Sequence, residues 1–218
     1  MKRWFFTFAM AALPLCGAQK GAELPPIALY TQFSQHPPAA ILDALQAEVQ
    51  SIMAPMGLNF QWHDLSTSTG REVSVELAVI DFQGRCDVDG LAARDSKPGP
   101  LGWTNISDGV ILPFAKVDCS AVRTFIQKEL LESRAAERAQ AFGRALGRVL
   151  AHELYHIFAN TTRHGSDGVG REFYSVHDLL NTNFQFQARE SMALINGKAH
   201  TALANAALAD ADDLEHRN

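Results

Sequence analysis

The chain has 218 residues, with 47% hydrophobic and 20% charged residues and a formal charge of −5. These values are ordinary for a globular protein and give enough length for one domain with a full hydrophobic core. The mild acidity is spread along the chain, which argues against nucleic acid or an anionic membrane surface as a partner, since both need grouped Lys and Arg. Beyond the N-terminus no stretch approaches the ~20 apolar residues of a membrane span.

Residues 1–18 read as a secretory signal peptide. Lys2 and Arg3 supply the positive start, residues 4–15 form an apolar run, and Cys16-Gly17-Ala18 places small residues before a cut after Ala18. Loss of Lys2 and Arg3 moves the formal charge from −5 to −7. The mature chain, 19–218, is expected to form a single domain, secreted or periplasmic, with no membrane attachment after cleavage. Cys86 and Cys119 are the cysteines that remain, and an oxidising compartment pairs them. The bridge would close a loop of about 33 residues and contribute about 3–4 kcal/mol on the loop-entropy account.

The first strand is expected at 27–32. Pro37-Pro38 opens a helix with apolar residues at Ile41, Leu42, Leu45, Val49, Ile52 and Met53, and Pro55 and Gly57 stop it. A short strand follows at 58–62. Val73, Val75, Leu77 and Val79 alternate with Ser74, Glu76 and Ala78, which predicts a strand over 73–79. Residues 83–100 form a long loop rich in Gly, Asp, Arg, Lys and Pro. Two strands, 101–105 and 110–114, flank the turn signal Ser107-Asp108-Gly109. Ser120 is a candidate cap for a helix with Val122, Phe125, Ile126 and Leu130 on one side. A longer helix runs from about 134 to 160, a glycine-bearing loop covers 161–171, and helical patterns return after Ser175 and at 188–195. The acidic tail from Asp210 is expected to fray. This order predicts an α+β fold: a small mixed sheet with a backing helix, then an active-site helix and a helical C-terminal part.

The chemistry concentrates in His152-Glu153-Leu154-Tyr155-His156. Residues four apart on a helix lie about 40° apart around its axis and one turn apart along it. Two imidazoles so placed can reach one Zn2+ ion, while Glu153, beside the first, acts as general base toward the water that attacks a peptide bond. A catalytic zinc takes three protein ligands and keeps an open position. The candidates for the third are His164, Asp167, Glu172 and His177, with His164 first because Gly165 and Gly168 let its loop turn back under the helix end.

His152-Glu153-Leu154-Tyr155-His156 followed by Asn160 and His164 resembles a zincin metallopeptidase of the metzincin kind, with the third His delayed by two residues. His164-Gly165-Ser166-Asp167-Gly168-Val169 is similar to the His-Ser-x-x-Gly-(Ile/Val)-Met segment of small secreted zincin-like proteins. The likeness spans 152–172. Asn160 stands where the family has a glycine, and Asn also tolerates the left-handed conformation. Gly170 stands where a methionine would lie beneath the metal, and Met192 is the only later methionine. The resemblance implies a zincin-like fold, zinc held by His152, His156 and His164, catalysis by Glu153, and a peptide or protein substrate laid along a sheet-edge strand such as 101–105. The alternative is a non-catalytic secreted zinc-binding protein of the same fold. A third possibility is a partner-binding module with no metal, in which His152 and His156 are ordinary helix residues.

Other residues have plainer readings. His36 and His63 are expected on the surface or in loops, Trp62 and Trp103 in packing, and Tyr174 in the core, with an oxyanion role as its alternative. The charged run from Arg134 to Arg148 is expected to be a solvated helix face.

Overall fold

A computed structural model describes residues 24–92 and 99–215, with side chains to residue 210; the signal peptide expected at 1–18 lies outside the described residues. The elements are β1 (Ile27–Phe33), α1 (Ala39–Met53), β2 (Phe60–Asp64), β3 (Leu77–Gln83), β4 (Gly102–Ser107), β5 (Val110–Asp118), α2 (Cys119–Glu132), α3 (Ala135–Phe158), α4 (Val176–Leu180), α5 (Ala188–Ile195) and α6 (Lys198–Glu215). The fold is α+β, with one mixed five-stranded sheet in the order β2-β1-β3-β5-β4. β2, β1, β3 and β5 run parallel. β4 closes one edge antiparallel to β5, with Thr104 opposite Ala115 and an irregularity between Thr104 and Ile106.

β1 is buried over its first five residues because parallel neighbours flank it and both its faces are covered. The same burial explains a correction at β3. The alternation at 73–79 predicts an inward set of Val73, Val75, Leu77 and Val79. The strand instead begins at Leu77 and buries Ala78, Ile80 and Phe82, while Val73 is 98% exposed. A central strand with apolar residues on both faces gives no alternation that marks its register. β2 also lies two residues later than expected. The helix after β5 is capped by Asp118, whose carboxylate accepts from Ala121 N at 2.9 Å. Ser120 does not cap it; its hydroxyl accepts from Arg85 N at 2.8 Å. Because β5 runs directly into α2, the last strand residue takes the capping position. The tail expected to fray from Asp210 belongs to α6 and is helical to Glu215.

α3 is the longest helix among the described residues, at 24 residues. It packs against α1 through Gly143 and Gly147: a Cβ on Gly143 would stand 2.4 Å from Ile41 O, and one on Gly147 2.8 Å from Leu45 O. Only the missing side chains let the two backbones approach so closely. One turn before the histidine motif, Arg148 is 0% exposed, which corrects its assignment to a solvated face. It donates to Glu48 Oε1 on α1 and to the carbonyls of Asp178 and Asn181, each at 2.6 Å, and its guanidinium lies 5.1 Å from the Phe184 ring. Arg148 thus ties α1, α3 and the chain after α4 together.

Cys86 and Cys119 form a disulfide, with Cα atoms 5.0 Å apart, and both are fully buried. It joins the loop after β3 to the start of α2. A buried disulfide indicates an oxidising, extracellular-type environment. Among the described residues no helix is long and apolar enough to cross a membrane.

Two variants test these constraints. Replacing Cys86 and Cys119 together by Ala should lower unfolding stability by about 3–4 kcal/mol in denaturant titration, the value set by the loop they close. Arg148→Leu strands the Glu48 carboxylate and two carbonyls and should cost about 3–5 kcal/mol, read as a lower denaturation midpoint at unchanged m-value. A change under about 1 kcal/mol in either would show that the corresponding tie does not hold the fold.

Candidate metal centre

His152 and His156 lie on the buried side of α3, one turn apart. Each ring is fixed by a backbone carbonyl. His152 Nδ1 donates to Val169 O at 2.8 Å, and His156 Nδ1 donates to Thr161 O at 2.7 Å. A carbonyl oxygen only accepts, so both Nδ1 atoms carry hydrogen and both Nε2 atoms present lone pairs. The two Nε2 atoms stand 3.0 Å apart. Two lone pairs at that separation repel unless positive charge lies between them. A proton is a poor answer, because burial, and then the neighbouring His156, push His152 down to about 3, and burial also lowers His156.

His164 completes the group. Its ring stacks on His152 with centroids 5.2 Å apart and meets His156 edge-on at 4.9 Å. The ligand atoms of His152, His156 and His164 all lie within 4.8 Å of one another, and these three residues could hold a metal ion. The donor chemistry suits zinc, whose tetrahedral nitrogen ligands at 2.0–2.1 Å stand about 3.3 Å apart.

The loop after α3 delivers the third histidine. Asn160 has φ of 48°, the left-handed turn its side chain tolerates. The chain then doubles back, with Gly165 N donating to Gly170 O at 2.7 Å. Gly168 has φ of +66°, and a Cβ there would stand 2.2 Å from Gln185 O, so the loop is seated tightly on the segment before α5. Val169 N donates to the same Gln185 O at 3.1 Å.

Glu153 shares the cleft with the histidines. Its Oε2 accepts from Thr104 Oγ1 on β4 at 2.7 Å. Its Oε1 faces Gly102, where a Cβ would come within 2.9 Å of it. Burial pushes the Glu153 carboxyl up to about 7, against the opposing effect of the Thr104 hydrogen bond. A group poised there can both take and return a proton near neutral pH. Thr104 and Gly102 were not singled out by sequence reasoning. Thr104 is 49 residues from Glu153, and no local pattern announces the contact.

The remaining candidates fall outside the three-histidine group. Asp167 turns to its own loop and accepts from Gly168 N at 2.8 Å. Glu172 lines the cleft. His177 sits in the first turn of α4. Tyr174, expected in the core, is also a cleft residue: its hydroxyl donates to Val169 O, and its ring meets His152 edge-on at 5.6 Å. Burial pushes its phenol well above the ordinary range. Trp103, expected in packing, is 37% exposed on the cleft wall, with Lys116 Nζ 5.7 Å from its ring. His63 stacks on Tyr30 and His36 lies by Phe33.

The cleft has a volume of about 650 Å³, and Leu101, Ile106, Ile111, Phe125 and Val149 give it an apolar wall beside Glu153. No protein-family profile, curated protein or solved structure matches this chain.

His156→Ala removes one of the two facing lone pairs and should abolish stable metal binding. His164→Ala should weaken it at least tenfold while leaving the fold intact. Elemental analysis after incubation with zinc and titration against a chromophoric chelator read both effects. Wild-type zinc retention in His156→Ala would reject this group as the binding site.

Proposed function

We propose that the chain is an exported zinc-dependent endopeptidase, a zincin-like enzyme in which His152, His156 and His164 hold the metal and Glu153 is the general base. The observation that carries this reading is the placement of Glu153. Its carboxylate lies in the same cleft as three histidines that could hold a metal, next to an edge strand. A structural metal site has no use for a base there.

Zinc, when bound, would supply a Lewis acid that polarises a carbonyl and acidifies water. The chain's own groups supply the rest. The Thr104 hydroxyl holds Glu153 Oε2, which leaves Oε1 to take a proton from the attacking water and later pass it to the leaving amine. β4 is bonded to β5 along one side only, so its other edge offers backbone donors and acceptors to an extended peptide. The apolar cleft wall gives room to a side chain of the substrate and keeps water from the reacting groups. The non-catalytic zinc-binding alternative would need a fourth protein ligand. Asp167 spends one carboxylate oxygen on Gly168 N, and Glu172 lines the cleft outside the three-histidine group, so a fourth ligand would have to be recruited by movement of one of them. The buried disulfide fits action outside the cytoplasm, as does the N-terminal segment expected to be a signal.

Glu153→Gln keeps the side chain's size and removes its basicity. The variant should hold about one zinc per chain, fold normally, and lose hydrolysis of an unstructured protein substrate by about 10²–10⁴-fold. Retention of wild-type turnover in Glu153→Gln would exclude Glu153 as the base. Wild-type protein that binds zinc and cuts nothing across a diverse peptide library would turn the reading to the non-catalytic binder.

A further inference from the structure

Helix α5 sends one acidic side chain into the interior, Glu190, which is 2% exposed. It is not one of the three residues of the histidine group. Its side chain lies against both ends of the turn that follows His164. A Cβ on Gly165 would stand 2.7 Å from Glu190 Oε1, and one on Gly170 would stand 2.6 Å from Glu190 Cγ. Both separations are shorter than real Cβ contacts, so glycine at 165 and 170 is the condition for Glu190 to sit where it does. Between those glycines runs the segment whose Val169 carbonyl receives His152 Nδ1.

Among the described residues Glu190 Oε2 is buried with no hydrogen-bond partner. A buried carboxyl oxygen without a donor is costly, so the side chain is held there by what surrounds it and not by its own polar bonds. What surrounds it is the loop. The space against Gly170 is filled from α5 by Glu190. The loop therefore rests on a side chain from another helix rather than on one of its own.

We propose that Glu190 is a positioning residue for His164: wedged against Gly165 and Gly170, it sets the height of the loop and so the place of the third imidazole. The proposal rests on the metal reading of the three histidines and adds the residue that builds its third corner. Glu190→Ala removes the wedge. In the metal-free protein the ring resonances of His164 should shift and broaden, and those of His156, held from Thr161, should shift less and stay sharp. Zinc affinity, measured by chelator competition, should fall about 10–100-fold. Glu190→Gln keeps the shape and should restore both readouts, with affinity within about threefold of wild type. If Glu190→Ala fails to fold, Gly170→Ala disturbs the same contact from the other side and should give the same displacement of His164. Unchanged His164 resonances and unchanged affinity in a folded Glu190→Ala or Gly170→Ala would overturn the proposal. A folded Glu190→Gln as weak as Glu190→Ala would overturn it too, because shape would then not be what acts. Wild-type protein that binds zinc without peptidase activity would end the peptidase reading and leave the Glu190 result decisive. Wild-type protein with no zinc affinity would end the metal reading, and the histidine resonances of the metal-free protein would still decide whether Glu190 places His164.

Discussion

Two backbone carbonyls, Val169 O and Thr161 O, determine what the three-histidine group can be. By taking the Nδ1 hydrogens of His152 and His156 they turn both Nε2 lone pairs into one space, 3.0 Å apart. Rings free to rotate would relieve that repulsion by turning away. Rings locked by carbonyls cannot, and the cheapest relief is a cation between them. Both carbonyls belong to the stretch that leaves α3 and returns beneath it. The geometry of that stretch is therefore part of the site.

α3 carries this arrangement because it is held on three sides at once. Gly143 and Gly147 draw it against α1. Val149 and Glu153 meet β4 at Gly102 and Thr104. Arg148, His152 and His156 donate to carbonyls of the chain that follows α3. A helix so constrained has little freedom to rotate or slide, which is what a metal centre with two ligands on one helix needs. The buried Arg148 is the most costly of these contacts, since a charge taken from water must be fully partnered. Its three oxygen partners and the Phe184 ring meet that need, and in doing so they attach the chain after α4 to the helix that bears the site.

The edge strand links fold and chemistry. Among the described residues β4 is the one strand that runs against its neighbour, and it stands beside Glu153. Its Thr104 orients one carboxylate oxygen, and its Gly102 makes room for the other. As an edge strand, β4 keeps one row of backbone groups unpaired, where a strand covered by a further neighbour would have none to offer.

The local parts of this protein were legible in the amino-acid order. α1, α3 and α5 follow from apolar spacing, with Pro and Gly marking the ends of α1. The left-handed Asn160 follows from what its side chain tolerates. His152, Glu153 and His156 share a helix by periodicity alone, and the Cys86–Cys119 pair follows from the count of cysteines outside the N-terminal segment expected to be a signal. His164 stands ahead of Asp167, Glu172 and His177 because glycines follow it, and the folded loop then places His164, and not the other three, in the group. The register of β3, the capping of α2 by Asp118 and the burial of Arg148 were likewise decided by neighbours distant in sequence. Thr104, Gly102 and Glu190 carry no local mark at all. Their roles come from surfaces that meet only when the sheet edge, α3 and α5 pack together, and a pairwise contact between distant segments leaves no periodicity in either one.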